Sequence, residues 1–400
     1  MQSIYFDRNA TTPVDPRVLA TMLPFFSEEF GNASSFHVAG RRAAEAVEVA
    51  RAHVAELIKA ETKSIVFTSG ATEANNLFLR GCVSFQSTQS QLTQSQFTQS
   101  QATEAQPAPT TSAHLITCKT EHPAVLDVCE KLEAEGHEVT YLSVDATGKV
   151  DPQAVQAAIR PETVLVSLML GNNEVGTLHD IAAVGAITRA AGVVFHCDAS
   201  QAGGCVPIDV DALQLDALTL TAHKMGGPKG IGALFLRRRK PRVRIEPILQ
   251  GGGHEQGIRP GTLNVPAIVG FGHAAELASQ EIPARKAHAF ALAAEFDRLI
   301  LAAFPNRIVN GHPVDRLPGN YNVTLPGISN RTLRERLPEV ALSSGSACAS
   351  AFQKPSHVLR AIGRSVEDSQ QTLRFGFGPT NTLEEVRWTV QRMADIVAKL

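Results

Sequence analysis

The sequence predicts an α/β protein, a mostly parallel sheet covered by helices on both faces, followed by a smaller α+β domain. Three observations carry this. Short, continuously apolar runs alternate with helix-period segments from about residue 64 to residue 237, as strands buried on both faces require. Near residue 265 the pattern changes to one long amphipathic stretch followed by shorter strands. The chain has 400 residues, 44% apolar and 19% charged, which is too long for one ordinary domain and leaves ample core.

The first strand is SIVFTSG (64–70), β-branched and closed by glycine, and ATEANNLFLRGCV reads as the helix after it. Six more strands follow, HLITCK (114–119), EVTYLSV (138–144), TVLVSLML (163–170), GVVFHCD (192–198), ALTLTAH (217–223) and GALFLR (232–237), making seven. Helices are expected over 123–135, 151–159 and 178–190. In the second domain a helix runs from about Val265 to Phe304, which Pro283 is apt to break. Strands are expected at 307–309, 320–325 and 372–377. The last helix is capped by Thr382, with Glu385 three residues on completing a capping box. The expected limits are 15–262 for the large domain, with 1–14 and 263–400 in the small one.

One segment fits neither domain. From Thr88 the chain repeats TQSQL, TQSQF and TQSQA. Such a tract has too little apolar surface to order itself, so residues 84–113 are expected to form a disordered surface insertion, or else a partner-docking tract.

The net charge is −2 and no basic stripe appears, which removes the simplest case for nucleic-acid binding. Arg237, Arg238, Arg239 and Lys240 follow a strand and read as its solvated end. The start, MQSIYFDRNATT, has no basic-then-apolar signal, and no apolar run reaches the roughly 18 residues of a membrane span, so the cytoplasm is expected. The six cysteines show no metal-like spacing, and in a reducing compartment most should be free thiols. Cys82, Cys118, Cys129 and Cys197 lie in apolar periodic segments and read as inert core. Cys348 differs. It stands in SSGSACAS (343–350) among Ser, Ala and Gly, which cannot build a core around it.

Three features carry chemistry. In FTSGATEANN (67–76) a strand ends in Ser-Gly and a helix starts at Ala71 and Thr72, a cup of backbone N–H groups for phosphate, though many strand-to-helix turns look alike. Asp198 closes an apolar strand at its C-terminal end, as a helix cap or as partner to a buried cationic nitrogen. Lys224 closes another strand, as a surface lysine or as a buried amine able to form a Schiff base. Together, a phosphate cup, a counter-charge and a Schiff-base lysine describe a pyridoxal phosphate site.

The chain resembles the cysteine desulfurase family, within the class V branch of the aminotransferase-like, pyridoxal-phosphate-dependent transferase fold. FDRNATTPVDPRV, VFTSGATEANN, TEHPAVLD, GNNEVGT, HCDASQ, AHKMGGPKGIGALFLR, GGGHEQGIRPGT, SSGSACAS and LRFGFG carry the resemblance in family order. It implies that Lys224 holds the cofactor as a Schiff base, that Asp198 pairs with the pyridine nitrogen and that His122 stacks on the ring and moves protons, a helix-start histidine being the alternative. It implies further that Gln201 bonds the ring oxygen and that Ala71, Thr72, Thr221 and His223 hold the phosphate. Thr262 would reach the phosphate of a neighbouring subunit, so a homodimer is implied. Asn173 and Arg374 would bind the substrate carboxylate. Cys348 would attack the sulfur of L-cysteine, keep it as a persulfide and release alanine, serving acceptors such as an iron–sulfur scaffold. No resident metal is implied, with Cys348 a transient ligand of an iron–sulfur cluster. Two departures, Arg8 and Ala33, are expected to have little effect. Relatives with a longer tail than the one ending here at Leu400 use it to dock the scaffold, which leaves the acceptor open. The alternatives are a selenocysteine lyase or another class V enzyme, and a silent scaffold homologue, against which intact Lys224, Asp198, His122, Cys348 and Arg374 count.

Overall fold

Seven strands assemble one sheet: β1 (Ile65–Thr68), β2 (His114–Cys118), β3 (Glu138–Leu142), β4 (Thr163–Met169), β5 (Val194–Asp198), β6 (Ala217–Thr221) and β7 (Gly232–Leu236), all but the edge strand β3 almost wholly buried. The computed structural model describes residues 3–98, 112–239, 241–344 and 355–400. The strand order is β1-β7-β6-β5-β4-β2-β3, and only β7 runs antiparallel to its neighbours. The C-terminal ends of the other strands therefore meet along one edge, where open α/β sheets bind ligands.

Helices cover both faces, among them α1 (Val38–Leu57), α2 (Ala71–Thr98), α3 (Pro123–Ala134), α4 (Ile181–Ala191) and α5 (Val265–Ala303). The sequence reading missed α1. It lies so close along α5 that a Cβ on Gly272 would fall 2.4 Å from the Ala50 Cα. The helix α5 runs through Pro283 without the expected break. Its first half gives Ile268, Phe271 and Leu277 to the core of the large sheet. Its second half gives Leu292, Phe296 and Ile300 to a separate core with Phe6, Phe375 and Val390. One helix thus serves both bodies, and the cores change over near Ile282 rather than at residue 262.

The smaller body is an antiparallel sheet of β8 (Ile308–Asn310), β9 (Asn320–Thr324) and β10 (Thr372–Gly376), in the order β10-β9-β8, under α6 (Leu383–Val397). The capping box of Thr382 and Glu385 on α6 is formed. The N-terminal strand Ile4–Tyr5 pairs with Val340–Ala341, which ties residues 3–9 to this body.

The helix α2 continues past residue 84 to Thr98, into the Gln/Ser/Thr repeat, where no helix was expected. Its first turns are anchored by buried Leu77, Phe78 and Cys82. Extending an existing helix needs no new nucleus, and glutamine is a fair helix former. The rest of the insertion, 99–111, lies outside the described residues, as do Lys240 and Cys348. Arg237 is tied down more firmly than a solvated strand end, donating to the Leu215 and Val210 carbonyls and to Asp211.

Candidate active site

The strand ends and the N-terminal strip enclose a cavity of about 610 Å³. Ala71, Thr72, His122, Asn173, Asp198, Gln201, Thr221, His223, Lys224 and Arg374 all line it. Nine of these ten come from the ends of β1, β2, β4, β5 and β6 or the turns just after them, and Arg374 comes from β10 of the smaller body. Residues more than 300 positions apart become neighbours only because the sheet aligns its C-terminal ends.

Asp198 is buried at the end of β5 and receives the Asn75 side-chain amide at 2.8 Å and the Ser200 N–H at 2.8 Å. These donors fix the orientation of its side chain. Lys224 donates from Nζ to the Ala10 carbonyl at 2.8 Å and to that of Asn9. The Asn9 carbonyl also accepts from Gln201 Nε2 at 2.8 Å.

His122 caps α3, its Nδ1 accepting the Ala124 N–H at 3.1 Å. Burial holds its pKa below the ordinary histidine value, with Lys224 adding to the effect against Asp198. The neutral ring therefore carries its proton on Nε2. Burial, with Lys224 and Lys229 nearby, pushes His223 down to about 4, and its Nδ1 lies 3.0 Å from Thr11 Oγ1. The Thr221 hydroxyl makes only a long bond, 3.5 Å, to the Ile231 carbonyl.

Arg374 is fully buried, donating to the Asn173 carbonyl at 2.9 Å and pairing with Asp7 at 2.7 Å. Its backbone N–H reaches the Ser343 carbonyl at 2.8 Å, where SSGSACAS begins. After that motif, Ser356 donates to Glu174 at 2.6 Å and the His357 ring lies 2.9 Å from the Glu121 carbonyl. The chain that carries Cys348 thus leaves and re-enters at the cavity wall.

Sequence reasoning missed several residues here. Asn9 and Ala10 act through backbone carbonyls, which no side-chain pattern signals. Asn75 lies one turn beyond Thr72 on α2 and could have been found from that spacing. Ser200 sits between Asp198 and Gln201. Glu121 and Glu174 are buried acids, and burial raises the pKa of both, Glu121 to about 8 with Asp198 adding to the effect. Thr262 is exposed in the loop before α5 and does not line this cavity.

The cavity fits pyridoxal phosphate. The Ser200 hydroxyl is buried there with no hydrogen-bond partner among the described residues, and the N-terminus of α2 supplies amides for an anion. Asp198 suits a protonated ring nitrogen, and Lys224 is an amine within the same space. Among the described residues no group of three or more His, Cys, Asp or Glu is placed to hold a metal ion. The other cysteines are poor nucleophiles, since burial pushes Cys82 and Cys129 up to about 12 and raises Cys118, Cys197 and Cys205 as well.

Fold and cavity together define a pyridoxal-phosphate-dependent enzyme of the aminotransferase type. Residues 4–96 and 93–388 match the family described as Aminotransferase class-V. The protein named Cysteine desulfurase IscS from Anaeromyxobacter sp. (strain Fw109-5) is 49% identical over 398 residues, 99% of this chain and 93% of that protein. Its namesake from Pseudomonas aeruginosa (strain UCBPP-PA14) is 46% identical over 400 residues, with the same coverage of 99% and 93%. Among solved structures, one titled NifS-like protein superposes with a TM-score of 0.86 at 32% identity, covering both chains fully. Another, titled SspA in complex with cysteine, gives 0.78 at 35%, covering 95% of this chain and 100% of that one. The chain belongs to the class V aminotransferase family and, within it, to the pyridoxal-phosphate-dependent cysteine desulfurases.

Proposed function

We propose that this protein takes the sulfur of L-cysteine, releases L-alanine, and holds the sulfur as a persulfide on Cys348 for acceptor proteins, chiefly those that assemble iron–sulfur clusters. The observation that carries this reading is the meeting of Lys224, Asp198, His122 and Arg374 at one cavity. Pyridoxal phosphate, when bound, supplies an electron sink for the substrate's carbon skeleton. Lys224 is the amine that would join it, Asp198 the charge for its ring nitrogen and Gln201 the partner of its ring oxygen. Ala71, Thr72, Ser200, Thr221 and His223 would hold its phosphate.

The residues do the rest. Arg374 and Asn173 take the α-carboxylate of cysteine, a task that suits a guanidinium fork. His122, its ring fixed by the Ala124 N–H, holds a proton at Nε2 that it can give up there and take back. Cys348 attacks as thiolate. A bond forms from its Sγ to the substrate sulfur as the carbon–sulfur bond breaks. The electron pair stays on carbon, which takes a proton and leaves as alanine.

The working form is a homodimer in which Thr262 reaches the other subunit's phosphate. In support, Leu23, Phe26, Phe30, Phe36 and Val38 are exposed, Phe36 by 93%. This strip adjoins the loop that leads to Thr262, with Ser34 Oγ 3.0 Å from His254. Among the described residues no helix is long and apolar enough to cross a membrane, and the cytoplasm is the proposed compartment.

Given L-cysteine and a reductant, the enzyme should release sulfide and alanine in equal amounts. Lys224→Ala should lose the visible absorbance of the bound cofactor. Cys348→Ala should keep it and lose sulfide release, and sulfide at the parental rate from that variant would refute the role of Cys348.

A further inference from the structure

A second cavity, of about 380 Å³, lies on the other side of the N-terminal strip. Asn9, Gln201 and Lys224 line both cavities and form the wall between them. Much of its lining is apolar, with Val14, Leu317, Pro318 and Phe377. Its charges do not cancel. Arg17 pairs with Asp15 at 2.8 Å and with Glu281 at 2.7 Å, and Arg285 pairs with Glu281 at 2.8 Å. These two acids and two arginines close a neutral network.

Arg8 and Lys286 stand outside it. The Arg8 guanidinium donates to the side-chain oxygens of Asn381, at 3.2 Å, and Thr380, both neutral. Among the described residues no carboxylate forms an ion pair with Arg8 or Lys286. A half-buried guanidinium with only neutral hydrogen-bond acceptors is costly, and burial, helped by the nearby Arg285, holds the Arg8 pKa below its ordinary value although Tyr5 and Glu385 act against it. Yet the fold makes room for this side chain. A Cβ on residue 378 would lie 2.2 Å from the Arg8 Cδ, so its path requires Gly378. The sequence reading set Arg8 aside as a departure of little effect, whereas the structure gives it a cavity, a cleared path and an unmatched charge.

We propose that this second cavity binds a small organic anion, its carboxylate or phosphate held by Arg8 and Lys286 and its apolar body resting on Val14, Leu317 and Phe377. The surplus positive charge selects an anion, and the apolar lining selects one with a hydrocarbon or aromatic part over a bare inorganic ion. The site is distinct from the cofactor cup, which is built from the end of β1 and the start of α2.

The test uses the cofactor-loaded enzyme and the fluorescent dye anilinonaphthalene sulfonate, an aromatic body with a single anionic head. Saturable binding is expected, roughly tenfold weaker in Arg8→Gln and in Lys286→Gln, the order that losing one charge-assisted hydrogen bond costs, and retained in Arg8→Lys. Cofactor absorbance reports that each variant is folded, and the exposed Lys286 decides the matter should Arg8→Gln fail to fold. Octanoate and octyl phosphate should displace the dye, the stronger of the two identifying the head group, while octanol should not. Equal dye binding by parent, Arg8→Gln and Lys286→Gln would overturn the proposal, as would displacement by octanol matching that by the two anions.

Discussion

Replacing Glu255 with glutamine should cost this protein about 3 kcal/mol of stability. Its carboxylate receives Arg51 Nη1 and Nη2, each at 2.7 Å, and the Phe67 N–H at 2.7 Å. The two side chains are 9% and 2% exposed. Burial opposes the Arg51 charge, but the bonds to Glu255 prevail and hold its pKa above the ordinary value. Breaking such a buried pair from one side costs about 3–5 kcal/mol. The glutamine oxygen can still accept one bond, and Glu48 still pairs with Arg51 at 3.0 Å, so the low end applies. For a chain of 400 residues the thermal midpoint moves by only about 1 °C per kcal/mol, so it should fall by roughly 3–4 °C. Circular dichroism melts of the parent, Glu255→Gln, Arg51→Met and the double variant measure this. The double variant should be more stable than the summed single losses predict by at least about 1 kcal/mol. A loss below about 1 kcal/mol for Glu255→Gln, or additive losses, would refute the argument. The pair joins α1, β1 and the loop leading to Thr262.

Three other outcomes can be checked. Glu121 titrates near 8 in the fold and near 4.5 when exposed, so between those values the unfolded chain binds fewer protons and stability falls as pH rises. Glu121→Gln should remove that part of the fall, and a constant offset from the parent across the range would count against it. His179 and His196 are buried with pKa values near 4, below the ordinary 6.5, so the unfolded chain binds more protons there and stability should drop as pH falls from about 6.5 to 4, as acid denaturation curves would record. Ser356 caps the short helix His357–Ala361 and bonds to Glu174; Ser356→Ala should cost about 1 kcal/mol and slow sulfide release while cofactor absorbance stays intact.

Much of the site was legible because its chemistry needs particular side chains at strand ends. Asp198 and Lys224 each close an apolar run, and the helix start at Ala71 follows a Ser-Gly break, so the local pattern marks them. The residues that hold them in place were less legible. Asn9 and Ala10 bind Lys224 through carbonyls that every residue has. The helix α1 does carry an apolar period, Ala43, Val47, Ala50 and Val54, that the reading passed over, but the pairing of its Arg51 with Glu255, 204 positions away, has no local signal. The loop of Cys348 was marked by composition alone, while the Ser343, Ser356 and His357 contacts at its two roots depend on β10 and the β4 end being side by side.

Local order belongs to the sequence. Apolar runs of strand length, the Thr382–Glu385 capping box and the inert cysteines follow from side chains acting on their own neighbourhood. What the tertiary structure alone decided is where charge is matched. The continuous helix through Pro283 is held because each half is buried in a different core. The start of the Gln/Ser/Thr repeat is helical because a buried helix runs into it. Arg8 is an ordinary surface arginine until the fold brings Gly378, Asn381 and Lys286 to it. Pairings between distant segments depend on chain topology, which no local period encodes.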